Sequence, residues 1–211
     1  MILKSVQEET QILVIEVLIM ILYFTIIGIA ILLVSIFNIA FNLTYLQCQW
    51  WMIIILAVVG VIFQFAVDAL SALIVSKTPD KWYNPEKKIF DVSAKEIKVM
   101  DFFQIKHWKD KIWELGGLGG FSKKKVDNPN DIKYIRRFLI EINRGQWVHI
   151  VGMFIGYLLL LVYPTRFLLA ISLPIAIVNM FLNFLPILAL RYNYPRLKKI
   201  YTLLSRRANK D

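Results

Sequence analysis

The chain has 211 residues, of which 58% are hydrophobic, and its mean hydropathy of +0.58 indicates an integral membrane protein rather than a soluble domain. A single cysteine, Cys48, excludes a disulfide framework, and two histidines are too few for a histidine-rich metal cluster. The formal net charge of +10 permits nucleic-acid binding, but the basic residues follow the expected membrane topology, so no nucleic-acid partner is expected.

Two apolar segments come first in the chain. Ile12–Phe37 carries one charge and is too long for the apolar core of a signal peptide, so we predict a retained first span at about residues 12–37. The second span is predicted over Met52–Val75, and the tryptophans at 50–51 are typical of an aromatic belt at its start. Asp68 lies inside this second span. An intramembrane carboxylate is a functional candidate, and hydration near the interface explains it equally well.

Ser76–Gln146 is a charged stretch with 16 Lys and Arg against 10 Asp and Glu residues. Within it, Ala94–Leu115 has helical character and mixes aromatic with basic residues, which is typical of a segment lying on an anionic leaflet. The glycine-rich run Gly116–Gly120 then breaks the chain and is a weak signal for a phosphate cradle. Asp127–Asp131 predicts a turn and the N-cap of a helix that begins near Ile132 and continues into the third span.

The last two spans are predicted at about residues 147–163 and 167–190. The link between them, Pro164–Arg166, is so short that it favours an antiparallel hairpin. A basic tail follows at 191–211. Lys and Arg are concentrated at the N-terminus, in residues 76–146 and in the tail, and the positive-inside rule therefore places all three in the cytoplasm.

Together these elements predict an all-α integral membrane protein. It forms one membrane domain, residues 1–211, with four transmembrane helices and a cytoplasmic, amphipathic and interfacial segment between the second and third. The expected location is the cell (plasma) membrane, which the chain crosses several times with both termini in the cytoplasm.

Ionisable residues gather where the charged stretch enters the third span. On a helix, Glu141 and Arg144 are within i,i+3 reach, and His149 follows at the water–lipid boundary. Such a cluster is a candidate polar site, because ionisable groups at that depth are costly to desolvate. An interfacial ion pair beside a histidine that only marks the interface is the alternative. Asn179 and Asn183 share one face of the fourth span, where interhelical hydrogen bonding is the simpler interpretation.

Four polar segments occur in a fixed order, namely WKDK at Trp108–Lys111, GFSKK at Gly120–Lys124, the stretch Tyr134–Arg144 followed by His149, and RYNYPRL at Arg191–Leu197 after Asn183. This order and spacing resemble the glycosyl-4,4'-diaponeurosporenoate acyltransferase family of small bacterial membrane proteins. The resemblance covers roughly Ser76 to Leu197 and a span similar to the second one here. The chain departs from the family pattern at Gln146, where an acid is common, so Glu141 alone would carry any acid role.

The resemblance implies transfer of a fatty acyl group to a sugar hydroxyl of a glycosylated carotenoid, a glycolipid acceptor. The donor is acyl-CoA or a similar co-substrate, and no bound cofactor is expected. His149 is the expected general base because its ordinary pKa lies near neutrality. Glu141 or another acid would orient it, and Arg144, Arg191 and Arg196 would hold the phosphates of the donor or the developing oxyanion. The other residues expected at the substrate site are Trp108, Lys109, Asp110, Lys123, Lys124, Asn183, Tyr192 and Asn193.

Two other function classes stay open on the sequence. The chain can be another interfacial lipid-modifying transferase, such as a methyltransferase, or a non-enzymatic membrane partner of a lipid-synthesis complex. RYNYPRL is by itself also typical of a basic, aromatic end to a span, and WKDK of an interfacial anchor. The membrane bilayer is the expected environment in every case, and the sequence predicts no oligomeric state.

Overall fold

The computed structural model describes residues 2–42, 47–112 and 126–208. In chain order its α-helices are α1 (Ile2–Asn42), α2 (Trp50–Ser76), α3 (Ala94–Phe102), α4 (Ile105–Trp108), α5 (Ile132–Ile155), α6 (Leu159–Val162), α7 (Thr165–Phe167) and α8 (Leu173–Ala208). Short 3₁₀ turns and a π-helical turn at Leu168–Ser172 connect some of them. The described part of the chain contains no β-strand.

In the part of the chain that the structure describes, four helical stretches are long and apolar enough to cross a membrane. They are Met20–Ala40, Trp50–Ser76, Ile132–Val162 and Thr165–Ala208. The predicted all-α membrane protein with four spans is thus confirmed. The fourth helix does not stop at residue 190, because α8 continues through the basic segment to Ala208.

Helices α2, α5 and α8 form the tightly packed centre of the bundle, and glycines allow their close approach. A Cβ built on Gly60 of α2 would lie 2.8 Å from Ile175 Cδ1 of α8. A Cβ on Gly156, just after α5, would lie 2.8 Å from Gln64 Oε1 of α2. Contacts this short exclude a larger side chain unless the neighbour moves, so the two glycines set the distance between these helices.

Helix α1 lies at the edge of this three-helix centre. Its residues at 21–37 are mostly exposed, as expected of a helix that faces lipid. It is anchored near its C-terminal end, where the amide of Asn38 donates to the carbonyl oxygen of Ala170 at 2.7 Å. Asn38 is buried, and the bond ties α1 to the π-helical turn that precedes α8.

The segment between α2 and α5 folds against the N-terminal half of α5 and the C-terminal half of α8. The buried amide of Asn143 donates to the carbonyl oxygen of Tyr83 at 3.0 Å, and the hydroxyl of Tyr194 donates to that of Pro85 at 3.1 Å. Both bonds cross more than fifty residues of sequence and hold the start of the segment in place.

The helix predicted over Ala94–Leu115 is interrupted in the structure. Helix α3 ends at Phe102, and Gln104 has a left-handed backbone with a φ of 51°, which breaks the helical hydrogen-bond ladder before α4. Residues from 113 to 125 lie outside the described part of the chain, so the glycine run, Lys123 and Lys124 are not placed. The predicted helix start is confirmed: the carboxylate of Asp131 caps α5 by accepting from the backbone amides of residues 133 and 134.

Candidate functional site

A chain of hydrogen bonds joins three helices at membrane depth. The amide nitrogen of Asn183 on α8 donates to both carboxylate oxygens of Asp68 on α2, at 3.1 and 3.3 Å, and to the backbone carbonyl of Asn179 at 3.2 Å. The amide oxygen of Asn183 faces Nδ1 of His149 on α5 at 2.9 Å. We refer to Asp68, Asn183 and His149 as the polar relay.

The relay determines which nitrogen of His149 carries the proton. The backbone carbonyl of Asn179 can only accept a hydrogen bond, so the side-chain atom of Asn183 that faces it, and that also faces Asp68, is the amide nitrogen. The side-chain atom of Asn183 that faces His149 is therefore the amide oxygen. That oxygen needs a donor, so Nδ1 of His149 is protonated. In the neutral imidazole, Nε2 is therefore the basic nitrogen.

The sequence folds into this arrangement because a glycine on α5 leaves room for it. A Cβ on Gly152 would lie 2.7 Å from Asp68 Oδ1 and 3.1 Å from Asn183 Oδ1. Gly152 lies three residues after His149 and therefore on the same side of α5. The glycine thus allows the carboxylate and the amide to approach the helix that carries the histidine.

Two further polar contacts lie about one helical turn farther into the bundle than the relay. Asn183 also donates to the side-chain oxygen of Asn179 at 3.2 Å, and Gln64 of α2 donates to the backbone carbonyl of Gly156 at 2.9 Å. Gln64, Asn179 and Asn183 are all buried. The expectation of interhelical hydrogen bonding for Asn179 and Asn183 is confirmed for Asn183, which bonds to two other helices.

Four charged residues form a cluster nearer the end of the bundle. Glu141 pairs with Arg144 at 2.6 Å and with Arg137 at 2.5 Å, and both arginines also pair with Asp80. The guanidinium of Arg144 lies over the ring of Tyr83, 5.1 Å from its centroid. The predicted pair of Glu141 with Arg144 is confirmed. The acid that reaches His149 is Asp68, acting through Asn183, whereas Glu141 is held by the two arginines.

A cavity of about 1080 Å³ contains both the relay and part of this charge cluster. We call its polar end the mouth, which is lined by Lys109, Asp110, Arg137, Glu141 and Arg144. We call its apolar end the arm, which is lined by Ile27, Ala30, Ile31, Val34, Val61, Phe65, Ile175, Val178 and Leu182. The volume lies just above the usual range for small-molecule sites, and the relay lies between the mouth and the arm.

The structure brings together about half of the residues that the sequence predicts for the site. Cavity-lining positions are occupied by His149, Glu141, Arg144, Lys109, Asp110, Asn183 and Asn193. Trp108, Arg191, Tyr192 and Arg196 do not line the cavity. The indole nitrogen of Trp108 instead donates to the carbonyl oxygen of Phe103 at 3.0 Å, within the segment between α2 and α5.

Arg191 ties α8 to α3. Its guanidinium forms a two-pronged ion pair with Glu96 and also donates to the side-chain oxygen of Gln146 at 3.2 Å and the backbone carbonyl of Asp91 at 3.3 Å. The hydrogen bonds from Arg191 hold the pKa of the Glu96 carboxyl below its ordinary value, against the opposing effect of partial burial. A guanidinium engaged in this way has a structural role in the described fold.

Asp80 and Arg137 belong to the charge cluster but were not predicted as site residues, although Arg137 lies in the polar stretch Tyr134–Arg144. Arg137 precedes Glu141 by one helical turn, and this i,i+4 spacing is the signal by which it can be found. Asp80 is 57 residues away from Arg137 in sequence, so only the folded structure reveals its role. Among the residues that the structure describes, no three His, Cys, Asp or Glu side chains are grouped as a metal site.

The fold and this cavity define a membrane protein of four spans with a partly buried polar relay in contact with an amphipathic cavity. The model of the glycosyl-4,4'-diaponeurosporenoate acyltransferase family matches residues 79–203. The chain therefore belongs to that family, as the polar segments in the sequence predict. Comparison with curated proteins and with solved structures gave no match in either case. The matched region contains His149 and Asn183, whereas Asp68 precedes it.

Proposed function

We propose that the chain is a membrane acyltransferase that transfers a fatty acyl group to a hydroxyl group of a glycosylated carotenoid or another glycolipid. The observation that carries the proposal is the polar relay, because it makes Nε2 of His149 the basic nitrogen inside a cavity with a polar and an apolar end. The family membership supports an acyltransferase reaction.

The proposed step is a direct transfer. Nε2 of His149 takes the proton of the acceptor hydroxyl as its oxygen attacks the carbonyl carbon of the donor. The tetrahedral intermediate carries the negative charge on the former carbonyl oxygen. When the intermediate collapses, the bond to the leaving group breaks, and the imidazolium returns its proton to that group. Asp68 stabilises the imidazolium through Asn183, in the way that a buried carboxylate supports a catalytic histidine elsewhere.

The mouth suits a sugar. Its lining has three cationic side chains, Lys109, Arg137 and Arg144, and two anionic ones, Asp110 and Glu141, so the charges nearly balance. Carboxylates accept hydrogen bonds from sugar hydroxyls and guanidinium groups donate to them. A strongly phosphorylated ligand would favour a more positive surface. We therefore assign the mouth to the sugar of the acceptor, and the leaving group of the donor extends past it into water.

The donor in this proposal is an acyl-CoA or a related activated acyl group. The reaction needs no bound cofactor, since the nucleophile is a hydroxyl and the donor is a co-substrate. Arg196 is exposed on α8, five residues after Arg191. Because Arg191 is paired with Glu96, we assign the contact with the donor phosphates to Arg196. By the positive-inside rule, the mouth opens to the cytoplasmic side of the cell membrane, where such donors are made.

Purified protein in lipid nanodiscs provides the test. Radiolabelled palmitoyl-CoA is supplied with lipid extracts or alkyl glucosides, and label in the acceptor is followed by chromatography and mass spectrometry. Transfer by the purified chain supports the proposal. Label transferred instead from a methyl donor would replace it with methyl transfer, and inactivity with both donors across all acceptors would favour a non-enzymatic membrane partner.

A further inference from the structure

The arm of the cavity is bounded on one side by a stripe of α1. Its cavity-lining residues lie at positions 23, 24, 27, 30, 31 and 34, which is the spacing of one helix face. Apart from Phe24, these positions are half-buried, whereas residues between them, such as Ile26, Ile29 and Leu33, are exposed. One face of α1 therefore closes the cavity and the other faces the surrounding lipid.

The lining residues on α8 and those on α2 give similar lengths for the arm. Asn183 of the relay and Ile175 at the far end of the arm are eight residues apart on α8, which is about 12 Å along a helix. Asp68 and Val61 are seven residues apart on α2, or about 10 Å. The arm thus extends for about two helical turns beyond the relay, towards the hairpin between α6 and α7.

The arm begins directly at the relay. Leu182 precedes Asn183, and Phe65 lies one turn from Asp68. The polar side chains that also line this part, Gln64 and Asn179, are buried against Gly156, where a Cβ would lie 2.8 and 2.6 Å from their amide atoms. Leu182 and Phe65 thus present apolar surface to a hydrocarbon chain directly beside the relay, and apart from Gln64 and Asn179 the lining of the arm is apolar.

This geometry distinguishes the two lipid substrates. In the acyl donor, the hydrocarbon chain begins at the carbonyl carbon that is attacked. In the glycolipid acceptor, a sugar ring separates the reacting hydroxyl from the lipid tail. Only the donor places an apolar chain immediately beside the carbonyl carbon at which the new bond forms.

We infer that the arm holds the hydrocarbon chain of the acyl donor and that the cavity-facing stripe of α1 limits the length of chain that is accepted. The inference rests on the proposed function. It also gives α1, which lies outside the region matched by the family model, a direct part in substrate selection.

Two substitutions on α1 form a matched pair. Ala30→Phe adds a ring to the wall of the arm. Gly28→Phe adds a ring to a position where a Cβ meets nothing within 4 Å. The two positions are about 200° apart around the helix, so the control projects into lipid. Both variants are assayed with palmitoyl-CoA and octanoyl-CoA against a fixed alkyl glucoside acceptor, and then with palmitoyl-CoA against alkyl glucosides of two tail lengths.

We expect Ala30→Phe to lower the ratio of palmitoyl to octanoyl transfer by about tenfold or more, because a poor fit of even one methylene in an apolar pocket costs about 10- to 200-fold. Gly28→Phe should leave the ratio as in the unmodified chain. An unchanged ratio in both variants would overturn the inference. So would a shift in Ala30→Phe that follows the tail length of the acceptor, since the arm would then hold the acceptor.

A second measurement does not depend on catalysis. Palmitoyl-CoA with a photoreactive group at the end of its chain is crosslinked to the His149→Gln protein, and the labelled peptides are identified. Labels on the α1 stripe or near Ile175 support the inference even if Ala30→Phe fails to fold, and labels confined to other surfaces overturn it. If the label lies in the arm but the unmodified chain transfers no acyl group, the proposed function is wrong. The arm is then still a binding site for a hydrocarbon chain.

Discussion

Gly152 of α5 lies against Asp68 of α2 so closely that a Cβ on the glycine would be 2.7 Å from a carboxylate oxygen. We expect Gly152→Ala to displace Asp68 from Asn183 and so to loosen His149. Turnover should fall by about a hundredfold, the effect typical of a misplacement of about 1 Å near a reacting centre. The measurement is acyl transfer by the purified variant in nanodiscs.

Gly28→Ala is the control for this substitution. It makes the same chemical change on a membrane helix, but at a position with open space around the new methyl group. Its turnover should equal that of the unmodified chain. Similar losses in both variants would mean that the relay does not depend on the space at Gly152.

His149 is the residue on which the mechanism depends most directly. His149→Gln should lower turnover by about 10² to 10⁴, the usual cost of losing a general base, while the protein still inserts and purifies normally. His107→Ala is the comparison, because His107 is exposed on α4 and does not line the cavity. Near-normal turnover in His149→Gln would show that the histidine only marks the interface.

Asp68 and Asn183 should behave as one unit. Asp68→Ala and Asn183→Leu should each lower kcat with little change in KM, and the double variant should be no worse than either alone, because each change already breaks the relay. Asp68→Asn keeps an oxygen that can accept from Asn183 and should retain more activity than Asp68→Ala. Losses that multiply in the double variant would contradict a relay.

The ion pair between Glu96 and Arg191 predicts a pH dependence outside the spans. The folded-state pKa of Glu96 is lowered, so the pair stabilises the docking of α3 above the ordinary glutamate pKa of about 4.3. That stability is lost as the pH falls through the lowered, folded-state value. Hydrogen exchange of the α3 amides, corrected for the intrinsic rate, should therefore accelerate in acid.

Arg191→Gln should make this exchange fast already at neutral pH and remove its acid dependence. Lys198→Gln, which breaks the neighbouring ion pair with Asp91, should leave the acid dependence of α3 in place. If Arg191→Gln instead raised KM for the acyl donor and left the exchange of α3 unchanged, Arg191 would be a phosphate ligand, as the sequence analysis proposes.

The positive-inside rule predicts the side of the membrane to which the mouth opens. In a Cys48→Ser background, a cysteine at Gln49 should react with an impermeant thiol reagent applied to intact cells. A cysteine at Asn128 should react only after permeabilisation. The opposite pattern would place the mouth outside, away from cytosolic acyl donors.

Structural features that depend only on residues close together in the sequence, such as helix caps and ion pairs within one helix, are predictable from the sequence. The start of α5 at Ile132 follows from its aspartate cap, and the pair of Glu141 with Arg144 follows from their spacing on one helix. The break at Gln104 was not predictable, because no glycine or proline marks the left-handed residue between α3 and α4.

The polar relay joins residues 68, 149 and 183, and no pattern within one helix predicts which of them meet. The sequence predicts Asp68 as a functional candidate and His149 as a base, and it assigns the orienting role to Glu141 or another acid without identifying Asp68 for that role. The partner of Arg191 is likewise 95 residues away in sequence. Contacts of this kind depend on how the helices pack, which a single sequence does not encode in any short motif.

Helix α5 carries three charged residues of the mouth, Arg137, Glu141 and Arg144, and also the histidine of the relay in one uninterrupted stretch, Ile132–Ile155. Arg144 and His149 are five residues apart on it, which fixes their separation along the axis at about 7.5 Å. A sugar held at the mouth can therefore present only those hydroxyls that lie at this distance from its point of attachment. For the proposed reaction, the fixed spacing of Arg144 and His149 along one helix then determines which hydroxyl is acylated, and no mobile loop is required.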